Sequence, residues 1–203
     1  MNHPVVLVES LRCEHGALLN VGGHNRRLNA SRKELFGMTD AWDLAELIDI
    51  PSVLGPGIYK CRVVYAEKII KVEFLPYAKK TVTRLRIVAD DAIAYPHKYK
   101  DRSALDRLRT LAGADEDIII VRNGLVTDSS AGNLVFDTGS ELLTPASPLL
   151  RGTRREFLLS RNILKPAAIR QADLLYFKSV HLINAMLDLG ETALPVSAQT
   201  IVE

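Results

Sequence analysis

Cysteine is scarce in this chain of 203 residues: Cys13 and Cys61 stand far apart and form no Cys-x-x-Cys pair. That excludes a disulfide framework and leads to the expectation of a reduced, cytoplasmic protein. No apolar run approaches the length of a membrane span, and Met1 to Glu9 lacks the charged start, apolar block and cleavage site of a secretory signal. The five histidines (His3, His15, His24, His97 and His181) are scattered, with no His-Glu-x-x-His or mixed Cys/His spacing, so no metal site is expected. Neither a Gly-x-Gly-x-x-Gly fingerprint nor a phosphate loop is present, and Gly-x-Ser-x-Gly is absent too, which argues against a hydrolase elbow. With 26 basic against 24 acidic side chains, bulk charge supports neither a nucleic-acid nor a membrane-surface partner.

What is there is the composition of a soluble globular protein, 47% hydrophobic and 25% charged. Val5–Leu11 reads as a buried strand, and Ala17–Val21 as its return. His24–Phe36 reads as a helix with Gly37 as its C-cap, followed by a short helix over Trp42–Ile48 that Pro51 ends. Ile58–Tyr65, Lys68–Leu75 and Thr81–Val88 alternate and predict an antiparallel meander. Asp90–His97 reads as a linker. A capped helix is expected over Ser103–Leu111, and a second sheet from Ile118–Val121, Asn133–Phe136 and Glu141–Thr144. Thr153–Ser160 is a further helix, and Ala172–Leu189 holds at least one strand. The pattern predicts an α+β protein of two lobes: a small N-terminal domain over 1–90, a linker over 91–97 and a larger domain over 98–203.

Four segments carry candidate chemistry. In His97-Lys98-Tyr99-Lys100-Asp101-Arg102 a lysine enters a helix beside other cations, where a lowered pKa would let it attack a carbonyl; a solvated basic turn is the alternative. The stretch from Asn123 to Asn133 is polar and small, so its backbone can pass close to a flat ligand, and Asp128 can offer a carboxylate to a ring nitrogen or serve as a turn residue. Arg151-Gly152-Thr153-Arg154-Arg155 puts a glycine before a helix, where backbone N–H groups and the helix dipole suit a phosphate, although plain capping by Thr153 also fits. His24-Asn25-Arg26-Arg27-Leu28 offers arginines that can clamp a phosphate or face solvent.

In this order the segments resemble the class IV aminotransferases, the fold-type IV enzymes that use pyridoxal 5′-phosphate and include D-amino acid aminotransferase and 4-amino-4-deoxychorismate lyase. The resemblance runs from about Val5 to Val196. His24-x-x-Arg27-Leu28 is similar to the family's His-x-x-Arg-Leu, whose arginine holds the cofactor phosphate. Lys98 matches the lysine that carries the cofactor, with Lys100 as competitor. Val126-Thr127-Asp128 before Asn133-Leu134-Val135-Phe136 is similar to the segment whose acid faces the pyridine nitrogen. Gly152-Thr153-Arg154-Arg155 resembles the motif whose successive amides bind phosphate, and Leu182-Ile183-Asn184-Ala185-Met186 resembles the Leu-Thr-Asn-Ser-Leu of the lyase branch. Glu9-Ser10-Leu11-Arg12 resembles a wall of the substrate pocket.

The resemblance therefore implies Lys98 as the catalytic residue and Arg27, Asp128, Gly152, Thr153, Arg154, Asn184 and Ala185 as cofactor contacts. Glu9, Arg12 and Arg102 are the implied substrate contacts. A homodimer acting on a small amino substrate follows from the same likeness, first as a lyase releasing pyruvate and 4-aminobenzoate. An amino-acid transaminase is the second reading, and a binding protein without turnover the third. Three departures stand out: Asp128 is one methylene shorter than the family's glutamate, Arg154 replaces a threonine, and Ala185 replaces an often hydroxylated residue. The family's Tyr-Gly-Asp-Gly segment is also missing, so part of the pocket is expected to be open or supplied by a partner subunit.

Overall fold

A computed structural model describes residues 4–202. The chain divides into two compact units, one comprising residues 1–79 and 97–101, the other residues 80–96 and 102–203. No helix among the described residues is long and apolar enough to cross a membrane.

The first unit opens with β1 (Leu7–Glu14) and its two-residue return β2 (Ala17–Leu18), then α1 (Val21–Phe36), the single turn α2 (Leu44–Leu47) and the hairpin β3 (Ile58–Tyr65) and β4 (Ile69–Pro76). The strands form one antiparallel sheet in the order β2-β1-β3-β4. Alternation sends Leu7, Leu11 and Cys13, with Cys61, Val63 and Tyr65 across from them, into a core that Leu28 and Leu44 close from the helical side. Ser10, Arg12 and Glu14 lie on the opposite face, with Arg12 directly across from Lys60. α1 starts three residues before its expected first residue. Its opening Val21-Gly22-Gly23 carries no apolar period, and Asn20 in the left-handed region (φ 53) sets the entry instead. At the other end Gly37 (φ 67) donates to the Lys33 carbonyl, a left-handed closure that glycine permits, and Met38 donates to that of Arg32.

The second unit holds β5 (Arg84–Ala89), α3 (Ser103–Arg109), β6 (Glu116–Arg122), β7 (Leu125–Val126), β8 (Asn133–Asp137), β9 (Leu142–Pro145), α4 (Thr153–Ser160), β10 (Lys165–Ala167), β11 (Ser179–Ile183), β12 (Ala193–Pro195) and β13 (Ile201–Val202). Two sheets result, β13-β5-β6-β7 and β10-β9-β8-β11-β12. Leu85, Ile119 and Val121 of the first pack with Leu134, Phe136, Val180 and Leu182 of the second, and α4 covers Val135 and Ile183 on the outer face through Leu158.

Three expectations need correcting. β5 is not the third strand of the meander. β4 ends at Pro76, which has no N–H to continue the ladder, and β5 pairs in parallel with β6, with Arg84 opposite Glu116 and Ala89 opposite Val121. The boundary therefore falls at Lys79–Lys80 rather than in a linker over 91–97, where Ile93 and Tyr95 are buried; residues 97–101 return to the first unit. The strands around 118–121, 133–136 and 141–144 also belong to two sheets, not one. Alternation in sequence reveals a half-buried strand but not its partner.

Apart from Leu28, the buried residues of α1 are polar: His24, Ser31 and Arg32. Glu9 of β1 lies among Leu7, Leu11 and Val63 with no exposed surface, and α1 neutralises it there: Arg27 Nε donates to Oε1 at 2.8 Å, Arg27 Nη2 to Oε2 at 2.6 Å, and His24 Nδ1 lies 2.6 Å from Oε2. Burial alone would raise the Glu9 pKa; the charge and hydrogen bonds of Arg27 and the contact with His24 outweigh it and bring it down to about 2. Relative to its ordinary 4.5, the carboxylate stabilises the fold above pH 4.5, a contribution of about 3 kcal/mol that is lost as pH falls through 2. Glu9→Gln is expected to cost about 3–5 kcal/mol at pH 7 by leaving a buried cation uncompensated. Urea unfolding across the acid range should show the gap between wild type and variant closing between pH 4.5 and 2; a gap that stays constant would refute the assignment.

Candidate active site

The first unit holds four of the expected residues: Glu9, Arg12, Arg27 and Lys98. Arg27 is mostly enclosed, with 14% of its side chain exposed, and its Nε/Nη2 edge is committed to Glu9. A guanidinium gripped on one edge turns its remaining N–H groups in a fixed direction, which is how an arginine is made ready for an anion. The i, i+3 spacing of His24 and Arg27 brings both to Glu9 from one helix face. Glu9 thus departs from its expected place on the substrate: both oxygens are engaged inside the core, and it acts on Arg27 instead. His24 was missed as a partner, although its position in His-x-x-Arg was the available signal.

Lys98 rides on the start of β1. The Val8 N–H donates to the Lys98 carbonyl at 2.9 Å and the Lys100 N–H to the Val6 carbonyl at 2.8 Å, with Leu7 and Tyr99 paired across the bridge. The two backbone bonds flank Tyr99, which packs on the core of the first unit. Lys98 is half-buried and Lys100 exposed, which favours Lys98 of the two candidates. On the outer face of the same sheet, Arg12 pairs with Glu14, Nε to Oε2 at 3.0 Å.

In the second unit a turn leads into β8. Ser129 N–H donates to the Gly132 carbonyl, and Asp128 bridges Asn133. Asp128 Oδ1 accepts from Asn133 Nδ2 at 2.7 Å, and Oδ2 accepts from the Leu150 N–H at 2.9 Å. Burial pushes this carboxyl up to about 7, against the lowering pull of the Leu150 N–H, Asn133 and the Arg155 charge. Since its ordinary value is 3.8, its ionisation subtracts from stability as pH rises from there through 7. The Leu149 N–H also faces this carboxyl, and with three donors met one acceptor position is left for a further N–H.

Two residues beyond Leu150, Gly152 is the N-cap of α4 in extended geometry (φ −67, ψ 140) with no side-chain capping bond. A Cβ there would run into Asn133 Oδ1, so only glycine allows this approach. Thr153 is buried at the first helical position rather than acting as the cap. Arg154 Nη2 meets Asp188 Oδ1 at 3.0 Å, its guanidinium lies 5.2 Å from the Phe157 ring centre, and its Nε is buried without a hydrogen-bond partner. Asn184 uses its side chain on the chain itself, donating to the Ala131 carbonyl at 3.2 Å and accepting from the Met186 N–H at 2.8 Å; Ala185 is half-buried in that turn. Arg102 donates to the Ser130 carbonyl at 2.9 Å and meets Asp106 at 3.5 Å, tying the start of α3 to the Ser129–Gly132 turn. Asn133, which links Asp128 to Leu150, was not among the expected site residues, though it heads the Asn-aliphatic-x-Phe run. Among the described residues no group of three or more His, Cys, Asp or Glu could hold a metal ion.

Within the second unit, a helix start that needs glycine and a carboxyl that can accept a further N–H donor fit an anionic group that also bears an N–H. Comparison with known proteins identifies the family. The family model for class IV aminotransferases matches residues 68–193. A protein of Haemophilus influenzae with no assigned function is 36% identical over 182 residues, covering 89% of this chain and 97% of its own length. A candidate 4-amino-4-deoxychorismate lyase from Haemophilus somnus, solved by crystallography, is 30% identical with a TM-score of 0.83, covering 93% of this chain and all of that one. The pyridoxal-phosphate-bound form of a hypothetical aminotransferase from Mycobacterium tuberculosis shares the fold at 19% identity and a TM-score of 0.75, over 97% of this chain and 81% of that one. This chain accordingly belongs to the class IV aminotransferases, a family of pyridoxal-phosphate-dependent enzymes with an α+β, fold-type IV architecture.

Proposed function

We propose that this chain is a pyridoxal-phosphate-dependent lyase that converts 4-amino-4-deoxychorismate to 4-aminobenzoate and pyruvate, acting as a cytoplasmic homodimer. The observation that carries the cofactor assignment is the head of α4, where Gly152 leaves the helix without a side-chain cap and the helix dipole favours a phosphate dianion. The likeness to the Haemophilus somnus protein supports the lyase over the transaminase.

When bound, the cofactor supplies an electron sink for charge developing on the substrate carbon. This chain's residues do the rest. Arg27, steadied by Glu9, and the amides of Thr153 and Arg154 hold the phosphate. Asp128, with acceptor capacity left over, would face the ring nitrogen and keep it protonated. Lys98 Nζ would hold the cofactor until the substrate amine takes its place; the freed amine would then take the proton from the carbon bearing that nitrogen, and the ring would become aromatic as the C–O bond to the enolpyruvyl group breaks and that group leaves, protonated to pyruvate. Arg12 and Arg102 are the cations we assign to the substrate carboxylates; Asn184 and Ala185 complete the wall beside the phosphate.

Purified protein mixed with pyridoxal phosphate should develop a visible absorbance band, and borohydride should then fix the adduct on residue 98. Lys98→Ala should lose the adduct and roughly 10²- to 10⁴-fold of the turnover, whereas Lys100→Ala should keep both. Peptide mass mapping decides between the two lysines. A protein that takes up no cofactor would instead support the reading of a binding protein without turnover. With 4-amino-4-deoxychorismate, pyruvate release followed through lactate dehydrogenase should need no keto acid. Amine transfer that depends on a keto acid, with no pyruvate formed, would make the chain a transaminase.

A further inference from the structure

The Leu150 peptide is held on both of its polar groups. Asp128 Oδ2 takes its N–H at 2.9 Å, Asn133 Nδ2 gives to its carbonyl at 2.9 Å, and Asn133 Nδ2 also joins Asp128 Oδ1 at 2.7 Å. Asp128, Asn133 and Leu150 thus close a ring of three contacts in which Asp128 and Asn133 stand in for the edge of a strand. Two residues further on, Asn133 Oδ1 fills the space beside the Gly152 Cα. The same two side chains therefore set where the chain enters α4, and they are nearly enclosed, at 4% exposure each. The turn that carries them is itself fixed, because Gly132 lies so close to the Ile183 carbonyl that a Cβ would collide with it.

We propose that Asp128 is a positioning residue for the anion site at the head of α4: it orients the amides of Thr153 and Arg154 through the Leu150 peptide, besides any contact of its own with the ring. This rests on the proposed placement of the cofactor phosphate at α4. Asp128→Asn replaces a group with two acceptor oxygens by one with a single acceptor oxygen and an NH2 donor. At least one of the donors facing it, the Leu149 or Leu150 N–H or Asn133 Nδ2, is then left buried and unmet. The entry to α4 loosens, while the ring site keeps its shape.

The test compares 4′-deoxypyridoxine 5′-phosphate with 4′-deoxypyridoxine, which lack the aldehyde and so bind without Lys98 chemistry. By titration calorimetry, Asp128→Asn should weaken the phosphorylated ligand by roughly 10- to 100-fold relative to the unphosphorylated one. A residue serving only the ring nitrogen would weaken both ligands alike, and an unchanged ratio overturns the proposal. Hydrogen exchange on the ligand-free protein is the second measurement: amides 150–154 should exchange faster in the variant by a similar factor, while those of β6 stay as in wild type. Unchanged exchange at 150–154 overturns the proposal too. If wild type binds neither ligand, the assignment of cofactor falls, and exchange alone decides this inference. Should Asp128→Asn fail to fold, Asn133→Ala removes the grip on the Leu150 carbonyl and leaves the carboxylate in place; the same two readouts then decide, with the same expected directions.

Discussion

Glu9 occupies a position where strand alternation calls for an apolar residue, and the geometry of the first unit follows from how its charge is met. A carboxylate without exposed surface is tolerable only when paired and hydrogen-bonded, and α1 provides both through Arg27 and His24. The helix is therefore held to β1 by ionic contacts as well as by the packing of Leu28 on Leu7 and Leu11. Arg32 shows the same economy one turn further on. It is 1% exposed, meets the Asp40 carboxylate and carbonyl, and lies 3.5 Å above the Trp42 ring. The charged residues on the inner side of this helix are held by partners inside the unit, Arg27 by Glu9 and Arg32 by Asp40.

The second unit solves a similar problem differently. Asp128 is as enclosed as Glu9, yet its nearest partners are neutral amides rather than a guanidinium, and its pKa moves up rather than down. Direct contact with a cation outweighs burial at Glu9; at Asp128 the Arg155 charge acts without a hydrogen bond to the carboxylate, and burial wins. A buried carboxyl pushed toward neutrality beside a helix start is the kind of group that marks a candidate site. Arg155, spent on Thr144, Glu156 and the Pro145 carbonyl, supports that helix from below.

Much of the architecture was legible because the signals were local. Gly37 as the end of α1, Thr153–Ser160 as α4 and Asn133–Phe136 as a strand, which runs one residue further to Asp137, each follow from composition over a few residues. The site could be read as an ordered set of segments because each motif reflects a local backbone need, such as the glycine before α4. Arg102 and Asn184 show where that reading stopped. Their side chains are occupied by the carbonyls of Ser130 and Ala131, contacts across 28 and 53 residues that no motif spacing records.

Local pattern decided which stretches would be helix or strand and where a glycine must precede a helix, because φ/ψ preference and side-chain period act over a handful of neighbours. Tertiary structure alone decided that β5 leaves the meander to pair with β6, that Glu9 belongs to Arg27 and His24, and that Asp128 and Asn133 grip Leu150. Strand partners and buried charge pairs are chosen by distant segments competing for one hydrogen-bonding edge or one countercharge, and that competition is settled only when the chain is packed.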